Sequence, residues 1–304
     1  MDIVGKKYIY FAISLLVLIP GIVALALWGL NTSIDFSGGS RIVLSLPKEV
    51  NSENIETIKT AFKEENVSIS TIQKSGSKIY VRTIPITQEK RTKIVGSLQK
   101  NIKGSKQERF ETIGPIIGKE TALNALKALV LASVIIVLYI AWSFRSIPKP
   151  ASSFRFGICA IIALLHDVLV VTGIFAILGH FFHVEVDSLF VTALLTIIGF
   201  SVHDTIVVFD RIRENLKRMP ASSFAEVTNE SILQTFTRSL NTSLTTMMVL
   251  FTILLFGGES LTWFIVALLI GIASGTYSSI FNAAPLLVVW HEFSLRHSGK
   301  DKLN

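Results

Sequence analysis

The chain has 304 residues, of which 50% are hydrophobic and 17% charged, with a mean hydropathy of +0.56, which excludes a soluble globule of this length. Its net charge of +7 does not mark a nucleic-acid-binding face, since the basic residues of the short loops follow membrane topology and the external segment has no aromatic stacking face. The single cysteine, Cys159, excludes a disulfide framework and a thiolate metal cluster.

From the N-terminus, the first apolar run, Tyr8 to Leu30, has the roughly 20 residues that cross about 30 Å of hydrocarbon. Its Ala24-Leu25-Ala26 has the form of a signal-peptidase site, but apolar sequence continues through Leu27, Trp28 and Leu30, so an uncleaved anchor is expected. "DFSGGS" (Asp35 to Ser40) joins this run to the first strand, and Gly38 and Gly39 read as an ordinary linker turn.

The segment from Asn31 to Glu120 reads as one domain. "RIVLSL" (Arg41 to Leu46) and "KIYVRTI" (Lys78 to Ile84) alternate as strands, "VSISTIQ" (Val67 to Gln73) is rich in β-branched residues, and "ERFETIG" (Glu108 to Gly114) is a fourth strand. "SENIETIKTAFKEEN" repeats Ile55, Ile58, Ala61 and Phe62 at helical spacing behind Ser52 as N-cap. "TQEKRTKIVGSLQKNI" repeats Ile94, Leu98 and Ile102 after Thr87. The resulting order β-α-β-β-α-β is the ferredoxin-like arrangement, which names no function by itself. "GPIIGKE" (Gly114 to Glu120) has its glycines one residue too close for a phosphate loop and Glu120 where a Mg²⁺-binding hydroxyl belongs, so no nucleotide site is expected.

Five further runs, Ala122 to Trp142, Phe156 to Leu178, Leu189 to Phe209, Leu240 to Phe256 and Leu261 to Trp290, bring the count to six transmembrane helices. The expected fold is an α-helical polytopic membrane protein with one α+β ferredoxin-like extracytoplasmic domain. Residues 1–30 hold the first helix and 31–120 the external domain; 121–292 form a five-helix bundle with a cytoplasmic loop at 210–238, and 293–304 a cytoplasmic tail. Lys6, Lys7, Arg145, Lys149, Arg155, Arg211, Arg213, Lys217, Arg218, Arg238, Arg296, Lys300 and Lys302 fall on alternate loops and ends, whereas "GHFFHVEVDS" and "GGES" carry no lysine or arginine. Both termini are therefore expected in the cytoplasm.

An ionisable group within a span costs about 2.5 to 3.5 kcal/mol on insertion scales and is a functional candidate by default. Asp167, in "ALLHDVLVV", and Asp204, in "SVHDTIVVFD", qualify. At about 100° per residue, Thr192, Thr196, Gly199, Phe200, His203, Asp204 and Val207 share one arc, expected to face other helices. "RSLNTSLTTMM" places Arg238, Asn241, Thr242, Thr245 and Thr246 near the same boundary, with Arg238 positioned to neutralise Asp204. In the last run Gly271, Ser274, Gly275 and Ser278 present small residues for close helix contact, and Asn282 adds an amide that needs a partner. These hydroxyls, Asn282 and His166 read first as polar glue between helices.

"SIDFSGG", "HDV", "LLTIIGFSVHDTIVVFDRIREN", "RSLNTSLTT" and "GTYSSIFNAAPLL" span nearly the whole chain. They resemble the motifs of the SecD/SecF family of the bacterial Sec protein-translocation machinery, in the resistance-nodulation-division (RND) superfamily. The resemblance implies a plasma-membrane complex with a SecD partner, beside the SecYEG channel, the SecA motor and a YajC-like accessory subunit. It implies that the proton-motive force moves the external domain and helps pull an emerging preprotein outward. H⁺ is then the coupling ion, with Na⁺ the alternative, and no cofactor, metal or enzymatic activity is expected. The family's key acid falls on Asp204 and its arginine on Arg238, while Asp167 matches the family's "HD" pair. His203 stands where the family commonly has Asn, either adding a titratable group or exchanging one hydrogen-bonding side chain for another. Two other readings stay open: a structural scaffold without ion coupling of its own, and an RND-type exporter half.

Overall fold

The computed structural model describes residues 2–47, 49–145 and 152–300, excluding the side chains of Ser75 and of residues 297–300. Lys149 and Lys302, used above for orientation, lie outside the described residues, as does the side chain of Lys300. The chain divides into two compact units, Met1–Asn31 with Lys127–Asn304, and Thr32–Leu126.

In the first unit, helix α1 (Lys7–Trp28) follows a short 3₁₀ turn (Val4–Lys6). That turn's orphan donors are satisfied from elsewhere in the chain, since Ile3 N and Val4 N donate to Asn229 Oδ1 at 2.8 and 3.2 Å. The remaining long helices are α6 (Ser153–Phe182), α7 (Ser188–Arg218), α8 (Phe224–Phe256) and the part from Lys127 onward of α5 (Pro115–Ser143). The last span, Glu259–Arg296, is composite: α9 (Thr262–Ser278) passes through a π-helical turn (Ser279–Ala283) into α10 (Ala284–Lys300). Pro285 accounts for the turn, because it has no N–H and its ring would press on the Phe281 carbonyl in a regular α-helix. Six helices are thus long and apolar enough to cross a membrane. α7 is about half buried and α5 almost wholly exposed, so α6, α7 and α9 form the centre and α5 lies at the periphery.

Two glycines bring α1 onto α6. A Cβ built on Gly173 would lie 2.5 Å from Gly21 Cα, so the backbones meet with no room for a side chain. Lys7 Nζ bonds Glu292 Oε1 at 2.7 Å and ties α1 to α10.

The expected loop at 210–238 is largely helix. α7 runs on to Arg218 and α8 begins at Phe224. Pairs at helical spacing extend α7, with Arg213 to Asp210 at 2.6 Å and Arg218 to Glu214 at 2.6 Å. A capping box starts α8 early: Glu226 N donates to Ser223 Oγ at 3.2 Å and Ser223 N to Glu226 Oε2 at 2.9 Å.

The second unit contains β1 (Gly39–Ser45), α3 (Ser52–Glu64), β2 (Ile69–Ser75), β3 (Lys78–Thr83), α4 (Gln88–Asn101) and β4 (Lys106–Ile113). The sheet order is β2-β3-β1-β4 with every neighbouring pair antiparallel, the ferredoxin-like topology. Ile58, Ala61 and Phe62 of α3 and Ile94 and Leu98 of α4 pack on Ile42, Leu44, Ile79 and Val81. The N-cap of α3 is Asn51, one residue before the expected Ser52: Asn54 N donates to Asn51 Oδ1 at 2.8 Å, and Asn51 N donates to Asn54 Oδ1 at 3.2 Å.

The "DFSGGS" stretch is more than a linker turn. Ser33 caps a one-turn helix, α2 (Ile34–Ser37), by accepting from Asp35 N at 3.2 Å. Gly38 and Gly39 follow at φ 72° and 131°, backbone that disfavours any side chain. A Cβ on Gly38 would also lie 2.7 Å from Pro115 Cα, and one on Gly39 2.6 Å from Thr83 O. Arg82 holds the stretch from β3, donating to Thr32 O at 2.8 Å and to Ser37 Oγ.

Candidate functional site

The membrane unit buries two carboxylates in different surroundings. Asp167, on α6, is 1% exposed and accepts from three helices. Oδ2 takes Ser201 Oγ of α7 at 2.5 Å and Ser278 Oγ of α9 at 2.6 Å, and Oδ1 takes Ser274 Oγ at 2.7 Å and His166 Nδ1 at 3.0 Å. The glycines of α9 permit this convergence. A Cβ on Gly275 would lie 3.0 Å from Ser201 Cβ, and one on Gly271 would collide with Ile197, so α9 approaches α7 closely. The serines read from sequence as general glue are thus focused on one carboxylate. Ser201 was missed there because nothing in a linear pattern says which residue of α7 faces α6.

Around this cluster Thr205 Oγ1 and Ser279 Oγ bond at 2.8 Å, Ser279 Oγ donates to Ser201 O at 3.2 Å, and Ser243 Oγ and Thr276 Oγ1 bond at 2.5 Å. Asn282, in the π-helical turn, finds its partner on α1, donating to Ser14 Oγ at 2.7 Å.

Asp204 lies one turn beyond Ser201 on α7 and is 2% exposed. Its Oδ2 has no hydrogen-bond partner among the described residues. His203 Nδ1 is 4.0 Å from Oδ1, and the His203 ring is itself exposed. Among the described residues Arg238 makes no ion pair with Asp204 within 4.0 Å, though its charge acts on that carboxylate from farther away. Ser239, on α8, is buried beside Asp204. Arg238, one residue away, is turned by about 100° onto the exposed face of α8.

The polar arc of α7 is also placed differently from the expectation. Thr192, Thr196, Gly199 and His203 are exposed in this chain, because α7 packs on α6 and α9 through Ala193, Leu194, Ile197, Ile198 and Ser201. On α8, Asn241 and Thr245 share the exposed face with Arg238, and Thr242 is half-buried. The hydroxyls on this face bond within their own helices, Thr196 to Thr192 O at 2.8 Å, Thr242 to Arg238 O at 2.9 Å and Thr245 to Asn241 O at 2.8 Å. Asp35, Gly38 and Gly39 belong to the other unit.

The family model described as "Protein export membrane protein SecD/SecF, C-terminal" matches residues 94–293. The protein translocase subunit SecF of Thermobaculum terrenum is 45% identical over 301 residues, covering 95% of this chain and 94% of its own. That of Anaerolinea thermophila is 41% identical over 300 residues, covering 98% and 96%. The protein translocase subunit SecDF of Bacillus subtilis is 36% identical over 95% of this chain, which spans 38% of that longer protein. Among solved structures, SecDF from Thermus thermophilus, described as a translocon-associated membrane protein, superposes with a TM-score of 0.84 at 33% identity, covering 96% of this chain and 39% of that one. The family model and relatives aligned over nearly their whole length agree, and the chain belongs to the SecD/SecF family of protein export membrane proteins.

Proposed function

We propose that this chain is the SecF-type subunit of a protein-export translocase, paired in the plasma membrane with a SecD-type partner and coupling ion flow at Asp204 to outward movement of polypeptide. The observation that carries the reading is the exposed polar face of α7 and α8, where Thr192, Thr196, His203, Arg238, Asn241 and Thr245 lie at the surface and Asp204 at its edge. Hydrocarbon disfavours such a face, so protein or a water-lined path covers it. The SecDF relatives carry more than twice this chain's length in one polypeptide, which leaves room for a second helical bundle against that face.

Asp204 is the group in this arrangement that exchanges the ion. Its buried Oδ2 has no hydrogen-bond partner among the described residues, and Arg238, adjacent in sequence to the Ser239 that lies beside Asp204, supplies a counter-charge when α7 and α8 shift. H⁺ is the expected ion, and SecYEG and SecA are the expected channel and motor. The lysine and arginine distribution supports a cytoplasmic location for both termini.

The test uses inverted vesicles containing the complete translocase. Asp204→Asn, nearly isosteric but unable to ionise, should co-purify with the SecD-type partner and retain ATP-driven translocation while losing gradient-stimulated export. Gradient-stimulated export at the wild-type rate in that variant overturns the reading. Imposing a sodium gradient in place of the proton gradient identifies the ion.

A further inference from the structure

We propose that the free edge of β2, with the groove between it and α3, is a docking site for an extended, acidic segment of the polypeptide being exported. The identity of that occupant rests on the protein-export reading above; the site itself stands on the geometry of the small domain.

A four-stranded sheet has two edges, and here they differ. β4 carries Lys106, Glu108, Arg109 and Glu111 in eight residues, the kind of charged edge that resists pairing. β2 is uncharged from Ile69 to Gln73 and rich in β-branched residues. β3 is its one strand neighbour among the described residues, in regular register from Thr71 to Ser75. The outward N–H and C=O groups of β2 are therefore unpaired over about 17 Å of strand, and another extended backbone is what completes such a ladder.

The face of β2 turned toward α3 adds an apolar floor. Ile69 and Ile72 are half-buried, as is Ile55 of α3, and they line a groove along the strand with the exposed Lys59. The groove continues past Lys63 and Asn66, where a φ of 52° turns the chain from α3 toward β2. A strand added to β2 sets alternate side chains over these isoleucines.

Charge selects the occupant. Lys59 and Lys63 form the α3 bank, and Lys74, two residues past Ile72, lies on the same face of the strand. Lys59 pairs with Glu56 at 3.4 Å, whereas Lys63 and Lys74 make no ion pair among the described residues. A second copy of this chain would bring like charges together across the new pair, so β2 does not fit itself. An acidic segment in extended conformation fits both the ladder and the bank. Recognition through main chain, a few isoleucines and lysines reads no particular sequence, which suits a passing chain rather than a fixed partner.

The site is tested with the full-length chain in lipid nanodiscs and a fluorescein-labelled ten-residue peptide alternating valine with glutamate. Anisotropy should report binding, and binding should be lost when two of the valines are proline, which removes main-chain donors at unchanged charge. Ser70→Glu with Thr71→Glu, both at exposed positions, should abolish binding. Lys59→Glu with Lys63→Glu should weaken it several-fold and favour a peptide with lysine in place of glutamate, while Gln99→Lys, on the exposed face of α4, leaves it unchanged. No binding, equal binding of the proline peptide, or indifference to the β2 and α3 substitutions overturns the site. The occupant is tested in the assembled translocase, with photoreactive benzoylphenylalanine replacing Thr71 or Gln99 and a translocating chain stalled part-way. The stalled chain should cross-link at the first position and not at the second. Cross-links to the SecD-type partner or to a second copy, or none, overturn the assignment of the occupant. Peptide binding needs neither export nor a gradient, so normal gradient-stimulated export by Asp204→Asn would remove the ion-coupling reading and leave the site standing.

Discussion

Asp167 and Asp204 are the same residue type in neighbouring turns of a packed bundle, yet one is saturated with donors and the other has a bare oxygen. Sequence identified both, because an ionisable group in a span is costly wherever it points. It could not rank them, since the three hydroxyls around Asp167 come from α7 and α9, 34 to 111 positions away. Gly173 was invisible for the same reason: its requirement comes from Gly21, on another helix. Gly173→Ala should destabilise the chain by about 1 to 3 kcal/mol through overpacking, read as a lowered thermal midpoint in detergent. Gly157→Ala, on the same helix with nothing within 4 Å of the added Cβ, should be neutral or mildly stabilising, as alanine is the better helix former. Equal destabilisation by both would show that the α1–α6 crossing does not depend on backbone contact.

Element boundaries moved where hydropathy ceased to be the controlling signal. The turn between α7 and α8 shrank to residues 219–223 because polar helix can leave the bilayer and continue, held by ion pairs and the Ser223–Glu226 box. Ser223→Ala should cost about 1 kcal/mol. Its mark should be faster amide exchange confined to the first turn of α8, at Phe224 to Val227, with gradient-stimulated export unchanged. Exchange that stays slow there would mean the cap is dispensable. The composite last span carries the opposite lesson. "NAAP" was visible as sequence, but that the helix absorbs Pro285 with a π-turn, and so points Asn282 at Ser14, is a property of the packed bundle.

For the whole molecule, the number of spans predicts sidedness. Three spans separate the small domain from the turn at 219–223, so the two lie on opposite sides of the membrane if each span crosses once. Cysteines replacing the exposed Gln99 and Ala221 should label with an impermeant maleimide from opposite compartments, against low background because Cys159 is fully buried. Labelling of both from one side would exclude six crossings.

Membrane class, the six spans, the β-α-β-β-α-β order and the two intramembrane acids were determined by the sequence alone. Each follows from local hydropathy, periodicity or the cost of a charge in hydrocarbon, quantities that need no partner to evaluate. Tertiary structure decided which face of each helix turns inward. It gathered Ser201, Ser274 and Ser278 on Asp167, buried Ser239 beside Asp204 while leaving Arg238 exposed, and left the polar arc of α7 at the surface. A polar arc marks a face that avoids lipid, but whether another helix of the same chain or of a partner covers it depends on how six helices pack at once.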